Sequence, residues 1–159
     1  PTRSTSPMKT IQYKKEIQAT ATKVYRTMLG LDNIKTYEKW TAAFDPSSTY
    51  EGSWDKGSKI YFVGTDKEGN RGGMISEIVE NIANEFISIR HYGILKGTQE
   101  ITEGPEVASW AGNLENYSFK EHQGITTVTV TSEVPEDYLD YFNTTWSKAF
   151  DKLKELSEA

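Results

Sequence analysis

Side chains able to do acid–base or metal chemistry are few in this sequence, and their spacing leaves most enzyme classes without support. There are two histidines, His91 and His122, and no cysteine. A zinc or iron site needs three or four converging ligands, yet neither histidine has a histidine or cysteine partner at i+2, i+3 or i+4. The lack of thiols also removes a disulfide framework and a thiol nucleophile. Gly-x-Ser-x-Gly, phosphate-cradling and dinucleotide-binding glycine patterns are absent, so hydrolase, kinase and Rossmann readings have no motif. His122 sits with Gln123-Gly124 in a turn, where solvent surrounds it. His91 ends a strand beside Arg90 and Tyr92; from there its imidazole can face a groove and orient a polar ligand head, or hydrogen-bond to backbone or to Tyr117.

Two carboxylates, Glu77 and Glu115, lie in strand-like stretches flanked by polar and aromatic residues. Turned outward, either is a solvated strand residue or half of an ion pair with Lys or Arg. Turned inward against an apolar cavity, such a carboxyl has a raised pKa and can act as a general acid. His91, Glu115 and Tyr117 are the set on which a cyclase or dehydratase reading rests.

Aromatic residues are the stronger signal, with 4 Trp, 9 Tyr and 6 Phe in 159 residues. Trp40, Phe44, Phe142 and Trp146 fall in helical patterns, Trp54, Phe62 and Tyr117 in or beside strands, and Trp110 in a long polar segment. The set is larger than one helix-to-sheet seam needs, although core packing explains most of it. An empty apolar void of roughly 300 Å³ costs about 7 kcal/mol, comparable to the whole stability of a domain. A pocket among these rings is therefore wet, mobile or occupied.

The elements that position these residues follow from periodicity. Met8 to Gln18 alternates Ile11, Tyr13 and Ile17, with Lys15 interrupting, as an edge strand does. Thr20 or Thr22 caps a short helix bearing Val24, Tyr25, Met28 and Leu29, ended by Gly30. Asp32 caps a second, with Ile34, Tyr37, Trp40 and Phe44 at helical intervals, stopped at Asp45-Pro46. Turn residues then separate strands at Thr49 to Trp54, Lys59 to Gly64, Gly72 to Glu80 and Phe86 to Tyr92. Ile75, Ile78, Val79, Ile82 and Phe86 also match a helical spacing; Gly72, Gly73 and the β-branched content favour a strand, with Asn81 to Asn84 as a turn. Gly93 to Gly112 reads as a loop too long for a hairpin, functional or mobile. Leu114 to Phe119 and Ile125 to Glu133 form a hairpin with Val128 and Val130 inward. From Pro135, at the first helical position, Leu139, Phe142, Trp146, Ala149, Phe150, Leu153 and Leu156 make one apolar stripe of a long helix.

Composition sets the frame. The length suits one domain, 36% of residues are hydrophobic and 26% charged, and the formal net charge is -5 with acidic and basic residues interspersed. Phosphate neutralisation, and hence nucleic-acid binding, is disfavoured. No apolar run approaches the roughly 20 residues that span a bilayer, and no signal-peptide core opens the chain, so a cytoplasmic protein without membrane insertion is expected. Residues 1–7, rich in Ser, Thr and Pro, read as a tag remnant or floppy tail before Met8, with a single domain over 8–159.

Strand, two short helices, six strands and a long amphipathic helix is the element order of the helix-grip fold. Within it, Trp40-Thr41 with Phe44-Asp45-Pro46, Gly52-Ser53-Trp54 with Gly57-Ser58-Lys59-Ile60, and Gly73-Met74 with Ile78 and Glu80 resemble one branch. Phe86-Ile87-Ser88-Ile89 with His91 and Gly93, then Gly97, Trp110 with Glu115 and Tyr117, and Trp146 with Leu153-Lys154 and Glu158 continue the likeness to nearly the whole chain. The sequence thus resembles the START-like (SRPBCC) superfamily, in the branch similar to the C-terminal domain of the activator of the ninety-kilodalton heat-shock chaperone's ATPase.

The resemblance implies an α+β fold in which a curved antiparallel sheet of about seven strands wraps the C-terminal helix. It also implies a small bacterial ligand-binding or stress-related protein with no defined reaction. The expected function is non-enzymatic binding of a small hydrophobic or aromatic molecule between helix and sheet. The eight aromatic residues named above, with Met74, Ile89, His91 and Glu115, are the expected lining, and Thr98 to Gly112 a lid anchored by Trp110. No cofactor or metal is expected. A chaperone-interacting module and a cyclase or dehydratase using the same cavity are the alternatives, and the assembly is a monomer or weak dimer.

Overall fold

A computed structural model describes residues 7–159. The expected tail therefore lies outside the described residues except for Pro7, whose carbonyl accepts the Glu136 N–H at 2.9 Å. The chain runs β1 (Met8–Ile17), α1 (Ala21–Leu29), α2 (Ile34–Thr41), β2 (Thr49–Gly52), β3 (Lys59–Thr65), β4 (Arg71–Ile82) and β5 (Phe86–Lys96). It continues through β6 (Gln99–Ile101), α3 (Pro105–Ala108), β7 (Leu114–His122), β8 (Ile125–Pro135), a 3₁₀ turn (Glu136–Tyr138) and α4 (Leu139–Glu158). The sheet is antiparallel throughout, in the order β1-β8-β7-β5-β4-β3-β2 with β6 on the edge of β5. The fold is α+β, as expected: a curved sheet over a long C-terminal helix, with two short helices after the first strand.

The core lies between the concave face and the helices. Ile17, Ile60, Ile78, Ile87 and Val128 from the sheet meet Trp146, Phe150 and Leu153 of α4 and Val24, Met28 and Leu29 of α1, all buried. Thr20 caps α1 by accepting the Lys23 N–H at 3.1 Å. Gly30 closes that helix in the left-handed region at φ 66, which returns the chain sharply into α2.

Several boundaries differ from the sequence reading. Asn33, not Asp32, caps α2: its extended backbone aims Oδ1 at the Lys35 N–H, 3.0 Å away, while Asp32 pairs with Arg26. That helix ends at Thr41, before Asp45-Pro46, so Phe44 lies in the turn that follows. Pro135 is the last residue of β8 and not a first helical position. The strand expected from Thr49 to Trp54 stops at Gly52. Gly93 to Gly112 is not one loop: β5 runs on to Lys96 and turns into β6, one strand more than the seven expected, which leaves α3 and its flanks as the excursion.

The helix-like spacing in β4 has a structural origin. A register shift between Ile78 and Glu80 leaves Val79 unpaired as a β-bulge, exposed on the outer face. The extra residue turns a period of two into an apparent three-to-four. A second shift, opposite Ile75/Ser76, makes Tyr92 the extra residue of β5, so that His91 pairs with Ser76 and Gly93 with Ile75.

Candidate functional site

Three neighbouring strands put a polar cluster on the concave face. Period two along β7 places Glu115 and Tyr117 on one side, and their partners across the ladder, Ile89 and Ile87, are on the same side as His91. The bulge at Tyr92 keeps His91 level with Ser76 of β4. His91 Nε2 lies 3.0 Å from Glu115 Oε1, Nδ1 lies 2.6 Å from Ser76 Oγ, and the Tyr117 hydroxyl donates to Glu115 Oε2. Ser76 is fully buried; His91 and Glu115 keep 16% and 22% of their side-chain exposure. The histidine is thus satisfied on both nitrogens, by a serine and a carboxylate, and Tyr117 reaches it only through Glu115.

Burial raises the pKa of Glu115, but the hydrogen bond and charge of His91 and the hydrogen bond from Tyr117 outweigh it and hold the carboxyl below its ordinary value. This corrects the expectation of a raised pKa: a carboxylate fed by two donors is stabilised as the anion, and a general acid is the role it fits least. Burial and the adjacent Glu115 charge push the Tyr117 phenol well above its usual value, so it stays a protonated donor. A folded-state pKa below the unfolded one means that Glu115 contributes stability above the unfolded carboxyl value of about 4.3, lost as pH falls through the folded value. Glu115→Gln is therefore expected to flatten the acid limb of a urea-denaturation series between about pH 5 and pH 3, while a wild-type slope in the variant contradicts the assignment.

Above this cluster lies a cavity of about 540 Å³. All twelve expected lining residues border it: the rings of Trp40, Phe44, Trp54, Phe62, Trp110, Tyr117, Phe142 and Trp146, together with Met74, Ile89, His91 and Glu115. Trp146 of α4 is the centre of the helical wall, with Phe44 edge-on at 4.8 Å between centroids, and Phe150, Tyr117 and Trp40 at 5.3, 6.1 and 6.2 Å. Trp40 is fixed by donating Nε1–H to the Met28 carbonyl at 2.8 Å. Phe62 meets the His91 imidazole edge-on at 5.9 Å. Exposed Ser109, Leu114 and Glu133 mark the rim.

Trp110 lines the cavity from the turn after α3, its indole N–H bonded to the Glu106 carbonyl at 2.9 Å. The backbone behind it is tied to the sheet by Gly112 N–H to His91 O at 2.8 Å and His91 N–H to Asn113 O at 3.0 Å. Of the span expected to be a lid, Gln99–Ile101 is therefore sheet.

Glu77 points to the outer face, where it pairs with Arg90 at 2.8 Å, and His122, expected in a turn, is the exposed last residue of β7, paired with Ile125. Sequence reasoning missed Tyr37, named only among the residues at helical intervals in α2, and Ser76. Tyr37 stacks at 6.4 Å on Phe62 and is edge-on to Tyr50 at 4.9 Å; its helical spacing to Trp40 was visible, its role as a cavity wall was not. Nothing local marks Ser76, whose contact with His91 depends on register. Among the described residues no group of three or more His, Asp or Glu could hold a metal ion, and no helix is long and apolar enough to cross a membrane.

No protein-family model matches the sequence, and no curated protein matches it. Solved structures do. The chain is similar to the Aha1 dimer from Colwellia psychrerythraea, with 22% identity over 94% of this chain and 96% of that one and a TM-score of 0.63. It is also similar to a protein of unknown function from Staphylococcus aureus, with 13% identity, 98% and 97% coverage and a TM-score of 0.67. A protein from Mycobacterium smegmatis gives 17% identity, 92% and 89% coverage and a TM-score of 0.65. At these identities the likeness shows a shared fold.

Proposed function

We propose that this protein binds a small hydrophobic or aromatic molecule without transforming it, in the cavity between α4 and the sheet. The observation that carries the reading is the cavity's size set against its lining. Kept empty and dry, about 540 Å³ would cost about 13 kcal/mol at the penalty measured for engineered cavities, as much as a domain's whole stability. Water filling a space walled mainly by aromatic and aliphatic groups finds few partners, and an apolar guest displaces it favourably.

The polar cluster supports binding over catalysis. His91, Glu115, Tyr117 and Ser76 hydrogen-bond to one another, which fits a fixed polar end better than a mobile acid–base pair. A cytoplasmic location and membership in the branch similar to the chaperone ATPase activator's C-terminal domain belong to the same proposal. Absence of cysteine supports the first, and the quoted motifs and the likeness to the Colwellia protein support the second.

Titrating a panel of lipids and aromatic metabolites against tryptophan fluorescence and melting temperature tests the reading. A ligand at one hundred times its Kd should add about 2.7 kcal/mol to stability and raise the melting temperature accordingly. A panel in which no compound moves either signal sinks it.

A further inference from the structure

At the Glu115 end of the cavity, the donors that touch the carboxylate are already committed. Tyr117 O–H goes to Glu115 Oε2, and the Trp40 indole N–H goes to the Met28 carbonyl at 2.8 Å. Both His91 nitrogens are occupied in either protonation state. In the neutral ring Nε2–H donates to Glu115, 3.0 Å away, and Nδ1 accepts from Ser76 at 2.6 Å. In the charged ring Nδ1–H donates to Ser76 Oγ, and the hydroxyl proton this frees stays on a fully buried serine that does not line the cavity. Trp54 Nε1–H, which has no partner among the described residues, is enclosed too tightly for water to reach it.

Acceptors, by contrast, are left over. A carboxylate has about four lone-pair sites, and the Glu115 group uses two on His91 and Tyr117. No lysine or arginine is among the described residues lining the cavity, and Arg90 is held on the outer face by Glu77 and by the Tyr92 ring, 4.9 Å from its guanidinium carbon. A guest with an anionic head at that end would meet a carboxylate of like charge with no lysine or arginine beside it.

We infer that the ligand is an apolar molecule whose buried end donates a hydrogen bond, such as a phenol or an aryl or alkyl amine, and that the cavity selects against carboxylates. The inference rests on the ligand-binding reading above and adds the chemical class of the guest. A donor head completes the valence of Glu115, and the apolar remainder lies against Trp146, Phe62 and Trp40. Fatty acids, equally apolar, are excluded at the head alone.

Isothermal titration calorimetry at neutral pH with para-butylphenol, para-butylanisole and para-butylbenzoate separates the two claims, because the three share one apolar body. The phenol should bind at least about tenfold more tightly than the benzoate, the scale of one hydrogen bond to a charged group, with the anisole between them. Glu115→Gln should bring the three within about threefold of one another. Benzoate binding as tightly as phenol, or more so, overturns the donor inference while leaving the ligand site standing. Binding of none of the three overturns both. Should Glu115→Gln fail to fold, the phenol-to-anisole ratio in the wild-type protein decides alone, since equality of those two contradicts a donated bond.

Discussion

Gly73→Val is expected to lower unfolding stability by more than about 3 kcal/mol, and to do so without touching a single side chain of the core. A Cβ at Gly73 would lie 1.9 Å from the Phe62 carbonyl oxygen and 2.9 Å from Val63 Cα, and the backbone there has φ +157. Both neighbours are main chain of the paired strand β3, so neither can step aside as a flexible side chain would. Phe62 and its partner Met74, next to this close approach, both line the cavity. Urea denaturation checks it. A valine variant within about 1 kcal/mol of wild type would show that β4 has room the structure does not record.

Met74→Trp is expected to weaken ligand binding by at least about tenfold while leaving the melting temperature unchanged or raised. Met74 pairs with Phe62 of β3 and Ile94 of β5 across the ladders, is only partly buried, and lines the cavity. An indole there occupies volume that a guest would need, and it covers apolar surface now turned toward water. Overpacking in a filled core would instead cost about 1–3 kcal/mol. The signs of the two effects therefore distinguish a real chamber from a closed interior: binding falls and stability holds in the first, stability falls in the second. Calorimetry and a thermal melt on the same sample read both.

How much of this was legible in the residues depends on how local each cause is. The stripe from Leu139 to Leu156 declared α4 because helical packing repeats every three to four residues in the sequence itself. The strands with clean alternation were equally plain, whereas Val79 blurred β4 by adding a residue that only the pairing with β5 explains. β6 was missed since three residues carry no period; what defines it is Gly93, whose bare Cα allows the Ile101 carbonyl to approach. Asp32 and Asn33 are both good caps, and the choice was made by backbone geometry one residue long.

The candidate site divides the same way. Aromatic residues exceeding the needs of one seam pointed to a cavity, and their types carried the signal without knowledge of the fold. The polar cluster was legible as a set and illegible as a circuit. His91, Glu115 and Tyr117 could be chosen for their chemistry, but Ser76 joins them through the Tyr92 bulge. The direction of the Glu115 shift follows from partners that come from another strand and from two residues along its own. Burial of a carboxyl raises its pKa by rule, and the donors brought by register reverse the sign.

The central claim is that the space between α4 and the sheet takes a guest, and nuclear magnetic resonance of the four tryptophan indole N–H signals tests it most directly. Trp40, Trp54, Trp110 and Trp146 all border the cavity from different elements. On saturation with para-butylphenol, several of these signals should shift together with one Kd, and Met74→Trp should raise that Kd at least about tenfold for the same signals. Saturable binding seen by calorimetry with all four indole signals unmoved would put the guest elsewhere and contradict the account.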